Sequence, residues 1–89
     1  MGGRRRSHDR RVLRDAKLTE LMLFAKELCP AATVKADTIR YEDEDGHVGV
    51  FPPSTLPEDD IERIITALAD RTAKIYDDTG LFLVFAVLN

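Results

Sequence analysis

The sequence predicts an α+β domain of two layers, in which two helices lie on one face of a four-stranded antiparallel sheet. Residues 18–29 and 61–68 carry apolar side chains three or four positions apart, which is typical of helices buried on one side. Each stretch is followed by extended segments separated by turns rich in Asp and Gly. The predicted element order is therefore αββαββ, with the same unit occurring twice.

Length and composition indicate one globular domain. Of the 89 residues, 44% are apolar and 33% are charged, which excludes a disordered chain. Residues 1–8 contain two glycines and a block of arginines, so we expect a basic flexible arm before a single α+β domain at 9–89. No secretory signal follows the arginines, and the longest apolar run, residues 81–88, is too short to cross a membrane. We therefore expect a cytoplasmic protein without membrane contact.

The first helix is expected to begin between Asp9 and Asp15, because either side chain can cap it. It should end before Pro30, since the residue preceding a proline is disfavoured in the helical region. The apolar positions that share one helical face are Leu18, Leu21, Met22, Ala25, Leu28 and Cys29.

Residues 33–42 and 47–51 predict a β-hairpin, because both contain β-branched and aromatic side chains. The four residues between them have turn composition, and the last, Gly46, can adopt a left-handed conformation. In this register Ile39 pairs with Val50.

The second helix is expected to start at a capping box, in which Thr55 caps the helix and Glu58 lies three residues on. Its apolar face is formed by isoleucines and a leucine between residues 61 and 68. It should end near Arg71, because a basic residue suits the C-terminal end of a helix.

Residues 73–76 and 81–88 predict a second hairpin around a turn that ends in Gly80. The strand at 81–88 is apolar on both faces, so we expect it to lie in the centre of the sheet or beneath a partner. The second turn aligns with the first at an offset of 34 residues. Internal duplication and independent use of the same turn residues both explain this match.

This architecture leaves one sheet face partly apolar and uncovered. The residues expected on that face, as an oligomer interface, are Phe51, Leu81, Leu83 and Phe85. An apolar outer face favours a partner, most simply a second copy of the chain. We therefore interpret the protein as a small non-catalytic binding or assembly module, homodimeric through its sheet.

The charge is unevenly distributed and supports an alternative function. Residues 1–17 have a formal charge of +5 and the rest of the chain −8, which together give the net charge of −3. The arginines of the basic segment are Arg4, Arg5, Arg6, Arg10, Arg11 and Arg14. They predict contacts with a polyanion such as nucleic acid, although no aromatic residue among them offers stacking to a single strand.

The sequence indicates no catalytic residues, metal site or cofactor. Cys29 is the one cysteine, which excludes a disulfide framework, and its place on an apolar helix face predicts a buried side chain. The acidic turn before Gly46 fails the calcium-loop spacing, because Pro52 would occupy the position that requires a glutamate. A third interpretation is a ligand pocket between helices and sheet, with Tyr41, Tyr76 or Lys74 as polar groups.

Overall fold

The computed structural model describes residues 2–37 and 45–88, with side chains from residue 10 onward within these ranges. The elements in chain order are α1 (Gly2–Leu28), β1 (Thr33–Asp37), β2 (Gly46–Phe51), α2 (Glu58–Thr79) and β3 (Leu83–Val87). The described strands form one sheet in the order β1-β2-β3, with β1 antiparallel and β3 parallel to β2. The fold is thus α+β with two helices and a three-stranded mixed sheet, and the predicted four-stranded antiparallel sheet is wrong.

The apolar face predicted for the first helix is confirmed. Leu18, Leu21, Ala25 and Cys29 are all buried in the core. The helix ends at Leu28, shortly before the proline, but it begins at Gly2, upstream of both predicted caps.

The hairpin forms in a different register from the predicted one. Val50 pairs with Val34, five positions before Ile39, which lies outside the described residues. Val34 and Val50 both pack into the core in this pairing, so burial of one sheet face selects the register. Gly46 serves close packing: a Cβ there would lie 2.9 Å from Cδ2 of Leu18.

The predicted second hairpin is absent, because its first strand belongs to α2. The helix continues to Thr79 and buries Ile75, which lies seven residues, or about two turns, beyond Leu68 on the same face. Gly80 follows with φ of 77°, and its N–H donates to the carbonyl of Tyr76 at 2.8 Å. This left-handed residue terminates the helix, so the glycine assigned to a turn is a helix C-cap.

The N-terminus of α2 also differs from the prediction. The N-cap is Pro57, whose carbonyl accepts the N–H groups of Asp60 and Ile61 at 3.0 and 3.1 Å. Thr55 lies in the turn before the helix and is not the cap. A proline suits this boundary because it lacks an N–H and its φ is fixed.

The path of α2 decides where the last strand lies. Strand β2, helix α2 and strand β3 form a crossover unit, in which a helix connects two parallel neighbouring strands. Strand β3 therefore pairs with β2 and not with residues 73–76. The described residues contain one hairpin rather than two, so the fold does not repeat an αββ unit. Within the described residues β3 pairs only with β2 and forms an edge of the sheet, whereas a central or covered strand was expected.

Both helices pack against the same face of the sheet. A single buried cluster joins side chains of α1 and α2 to Val48, Val50 and Leu83. Phe85 and Val87 pack against this cluster, so the odd-numbered residues of β3 face the helices. None of the helices in the described part of the chain is long and apolar enough to span a bilayer.

Candidate interaction surface

The two edges of the sheet differ in chemistry. Strand β1, at one edge, carries Lys35 and Asp37, and charged residues on an edge strand discourage pairing with another chain. Strand β3, at the other edge, has the sequence Leu-Val-Phe-Ala-Val, without a charge, proline or glycine. The β3 edge therefore lacks the sequence features that normally protect an edge strand.

On the side away from β2, the backbone of β3 presents polar groups that pair with no described residue. Leu88 N–H donates to the carbonyl of Val50 at 2.8 Å, so even-numbered residues turn their backbone groups toward β2. These groups alternate in direction along a strand. The N–H and C=O groups of Leu83, Phe85 and Val87 therefore point to the outer edge, where no described residue pairs with them.

The four residues predicted for an oligomer interface do not share an exposed face. Leu81 and Leu83 are buried in the core, and Phe85 is partly buried against it. Phe51 is 38% exposed on the opposite face, where Lys35 Nζ lies 5.7 Å from its ring centroid. The prediction placed the odd-numbered side chains of β3 on the outer face of the sheet. In the structure they point toward the helices instead.

A groove of about 670 Å³ lies between the N-terminal half of α1, the end of α2 and the start of β3. The residues that line it include Arg10, Asp45, Thr72, Tyr76, Phe82 and Leu83. Tyr76 was expected beside such a pocket; Tyr41 lies outside the described residues and Lys74 does not line the groove.

Asp45 connects three elements at the floor of the groove. Its Oδ2 accepts a hydrogen bond from Arg10 Nη2 at 3.1 Å and another from the Phe82 N–H at 2.8 Å. Its own N–H donates to the Phe82 carbonyl at 2.7 Å. Sequence reasoning missed this cluster, because its members are 35 and 37 positions apart and no local pattern joins them.

The arginines of the basic segment all lie on α1, but side chains are described only from Arg10 onward. Arg10 and Arg14 form ion pairs with Asp45 and Asp15, at 3.1 and 3.2 Å. Arg11 is exposed. Of the three arginines of the basic segment whose side chains are described, two are thus partly neutralised within the chain. Nucleic-acid binding stays a prediction.

Residues that carry metal or thiol chemistry do not form a cluster in the described structure. Among described side chains, no group of three or more His, Cys, Asp or Glu residues is placed to hold a metal ion. Cys29 is buried in the core, as its position on the apolar helix face predicted.

Comparison with known proteins identifies no relative. No family model matches the chain, and no curated protein or solved structure shows significant similarity to it. Within the described structure, the edge of β3 and the groove are the features from which a function can be inferred.

Proposed function

We propose that the protein is a small non-catalytic assembly module of the cytoplasm, which forms a homodimer by pairing β3 with β3 of a second copy. The observation that supports this proposal is the uncharged edge of β3, with its outward backbone groups. Burial of Leu81 and Leu83 moves the proposed contact from the face of the sheet to this edge. We choose a second copy of the chain as the partner, because two β3 strands can pair with each other through the same outward N–H and C=O groups.

A two-fold axis at Phe85 satisfies the outward backbone groups. In an antiparallel pair centred there, Phe85 faces its own copy and Leu83 faces the partner's Val87. Residues whose backbone groups point outward then form hydrogen-bonded pairs, which together make about six inter-chain hydrogen bonds. The result is a continuous six-stranded sheet with all helices on one face.

The side chains on the outer sheet face are compatible with this register. Val84 lies directly opposite the partner's Ala86, and both are half-buried and uncharged. No like charges oppose each other along β3, whereas the same pairing at β1 would bring charged residues together. The β3 edge is therefore favoured over the β1 edge as the dimer contact.

The alternative of nucleic-acid binding lacks a comparable observation. It depends on arginines of α1, and Arg10 and Arg14 already have acidic partners. Asp15 engages both Nε and Nη2 of Arg14, and Asp45 engages Nη2 of Arg10. These arginines therefore offer fewer donors to a run of phosphates than unpaired arginines would. We therefore propose the dimer first and treat nucleic-acid binding as a separate property.

The experiment compares the wild type with the double variant Val84→Lys/Ala86→Lys by analytical ultracentrifugation over a range of concentrations. The wild type should sediment as a dimer, with twice the chain mass of 10.0 kDa. The variant should be a folded monomer, because each new lysine faces a lysine of the partner. The charge-matched control Thr33→Lys/Ser54→Lys should remain dimeric, because both positions are exposed and lie away from β3.

Hydrogen exchange tests the same contact at single residues. In the dimer, amides of Leu83, Phe85 and Val87 should exchange slowly, and in the lysine variant they should exchange quickly. Amides of Val84 and Ala86 should be protected in both proteins, because they point toward β2. A monomeric wild type at millimolar concentration, or fast exchange at the three odd positions of the wild type, contradicts the proposal.

A further inference from the structure

We infer that the groove between α1, α2 and β3 is a binding site for a small aromatic carboxylate. This inference does not depend on the dimer, because Arg10, Tyr76 and Phe82, which carry it, lie outside β3. The volume of the groove, about 670 Å³, falls within the range of small-molecule sites, roughly 300–1,000 Å³.

The walls of the groove suit a planar ring. Tyr76 and Phe82 lie edge to face, with ring centroids 6.5 Å apart and an interplanar angle of 76°. Both rings are exposed to solvent. Aromatic rings usually bury much of their surface against other groups. Leu83 and Ala73 supply further apolar lining. A ring inserted here would cover apolar surface that water now contacts.

Two charged side chains line the groove, Arg10 and Asp45, and Arg10 is the one that can bind an anion. Asp45 engages Nη2 of Arg10 and thereby orients the guanidinium. Nε and Nη1 of Arg10 make no hydrogen bond to any described residue, and both carry N–H groups that can donate to a ligand. A carboxylate suits these donors, because a hydrogen bond between a guanidinium and a carboxylate joins opposite charges and is roughly twice as strong as a neutral one.

The acidic side chains described in this region are already engaged by donors of the chain. Asp45 already accepts two hydrogen bonds, from Arg10 and from the Phe82 N–H. Asp78, at the end of α2, is paired with Lys74 at 3.3 Å. The hydroxyl groups of Thr72 and Tyr76 add neutral polar contacts on the α2 side.

The test uses 2-naphthoate and its uncharged analogue 2-naphthamide as probes, with binding followed by amide chemical shifts in NMR titrations of the full chain. The wild type should bind 2-naphthoate at least about tenfold more tightly than the amide, because a charged hydrogen bond is lost with the amide. Shifts should concentrate at residues that line the groove.

Variants separate the charge from the aromatic wall. Arg10→Gln should weaken naphthoate binding about tenfold and leave naphthamide binding unchanged, whereas Phe82→Ala should weaken both. Arg11→Gln is the matched control, because Arg11 is exposed, adjacent in sequence and does not line the groove.

Three results would overturn the inference: no saturable binding of naphthoate at millimolar concentration, equal affinity for the two probes, or equal effects of the two arginine variants. Sedimentation of the same samples measures the oligomeric state, so an effect on naphthoate binding can be told apart from an effect on dimerisation. Loss of naphthoate binding in Arg10→Gln at an unchanged oligomeric state concerns the groove alone.

Discussion

Replacing Asp45 tests whether this carboxylate holds the start of β3 in place. The Asp45 side chain is 13% exposed and accepts the Phe82 N–H at 2.8 Å, whereas its ion-pair partner Arg10 is 51% exposed. A hydrogen bond to a charged group contributes about 1.5–3 kcal/mol. An exposed ion pair contributes about 0.2–1 kcal/mol, because water screens it. The backbone contact should therefore dominate.

We expect Asp45→Ala to lower the free energy of unfolding by about 2–3 kcal/mol and Asp45→Asn by about 1 kcal/mol, since the amide oxygen can still accept the Phe82 N–H. Urea unfolding followed by circular dichroism measures both, at one fixed protein concentration because dimerisation also affects stability. Arg10→Gln serves as control and should cost less than 1 kcal/mol. Equal losses for the alanine and asparagine variants, or a loss below about 0.5 kcal/mol for alanine, would refute this assignment.

Substitutions at three further positions test the packing and the end of α2 by the same unfolding assay. Gly46→Ala should lower the free energy of unfolding by about 1–3 kcal/mol, because the added methyl group meets the buried side chain of Leu18; a neutral effect would show that this contact is loose. Gly80→Ala should cost about 1–2 kcal/mol through its left-handed backbone alone, since nothing lies within 4 Å of a Cβ there, and Gly80→Asn should cost less. Leu68→Ala should cost about 2–5 kcal/mol, because the side chain is fully buried; a loss below 1 kcal/mol would contradict its place in the core.

The first helix could be predicted because its signal is local and repeated. Leu18, Leu21 and Ala25 recur at helical spacing over about two turns, and all three are buried. The start of the helix could not be predicted in the same way. Residues 2–9 are polar and contain two glycines, so no periodic apolar pattern shows that the helix includes them.

The hairpin register depends on packing between distant segments. Ile39 and Val34 are both β-branched and both suit a partner for Val50, so composition does not separate the two pairings. Turn length favoured the shorter loop and therefore Ile39. Burial of Val34 against the helices favours the observed pairing, and that contact is invisible in the sequence.

The candidate sites were predicted only in part. Tyr76 was expected beside a pocket, and it lines the groove. Its partners could not be anticipated, because Arg10 and Asp45 meet only after α1 has packed across the sheet. An ion pair between residues so far apart in sequence leaves no spacing pattern that distinguishes it from other surface charges.

One ambiguous glycine accounts for most of the difference between the predicted and the observed sheet. An aspartate-rich stretch that ends in glycine is typical of a hairpin turn, but a glycine is also the commonest left-handed residue after a helix. Ile75 decides between the two, because it continues the apolar face of α2 and is buried there. Once the helix extends to Thr79, residues 73–76 are not a strand that could form a hairpin with β3, and β3 pairs in parallel with β2 instead. The strand that was expected inside the sheet then lies at its edge, where the same uncharged sequence that suits burial also leaves backbone groups available to a second chain.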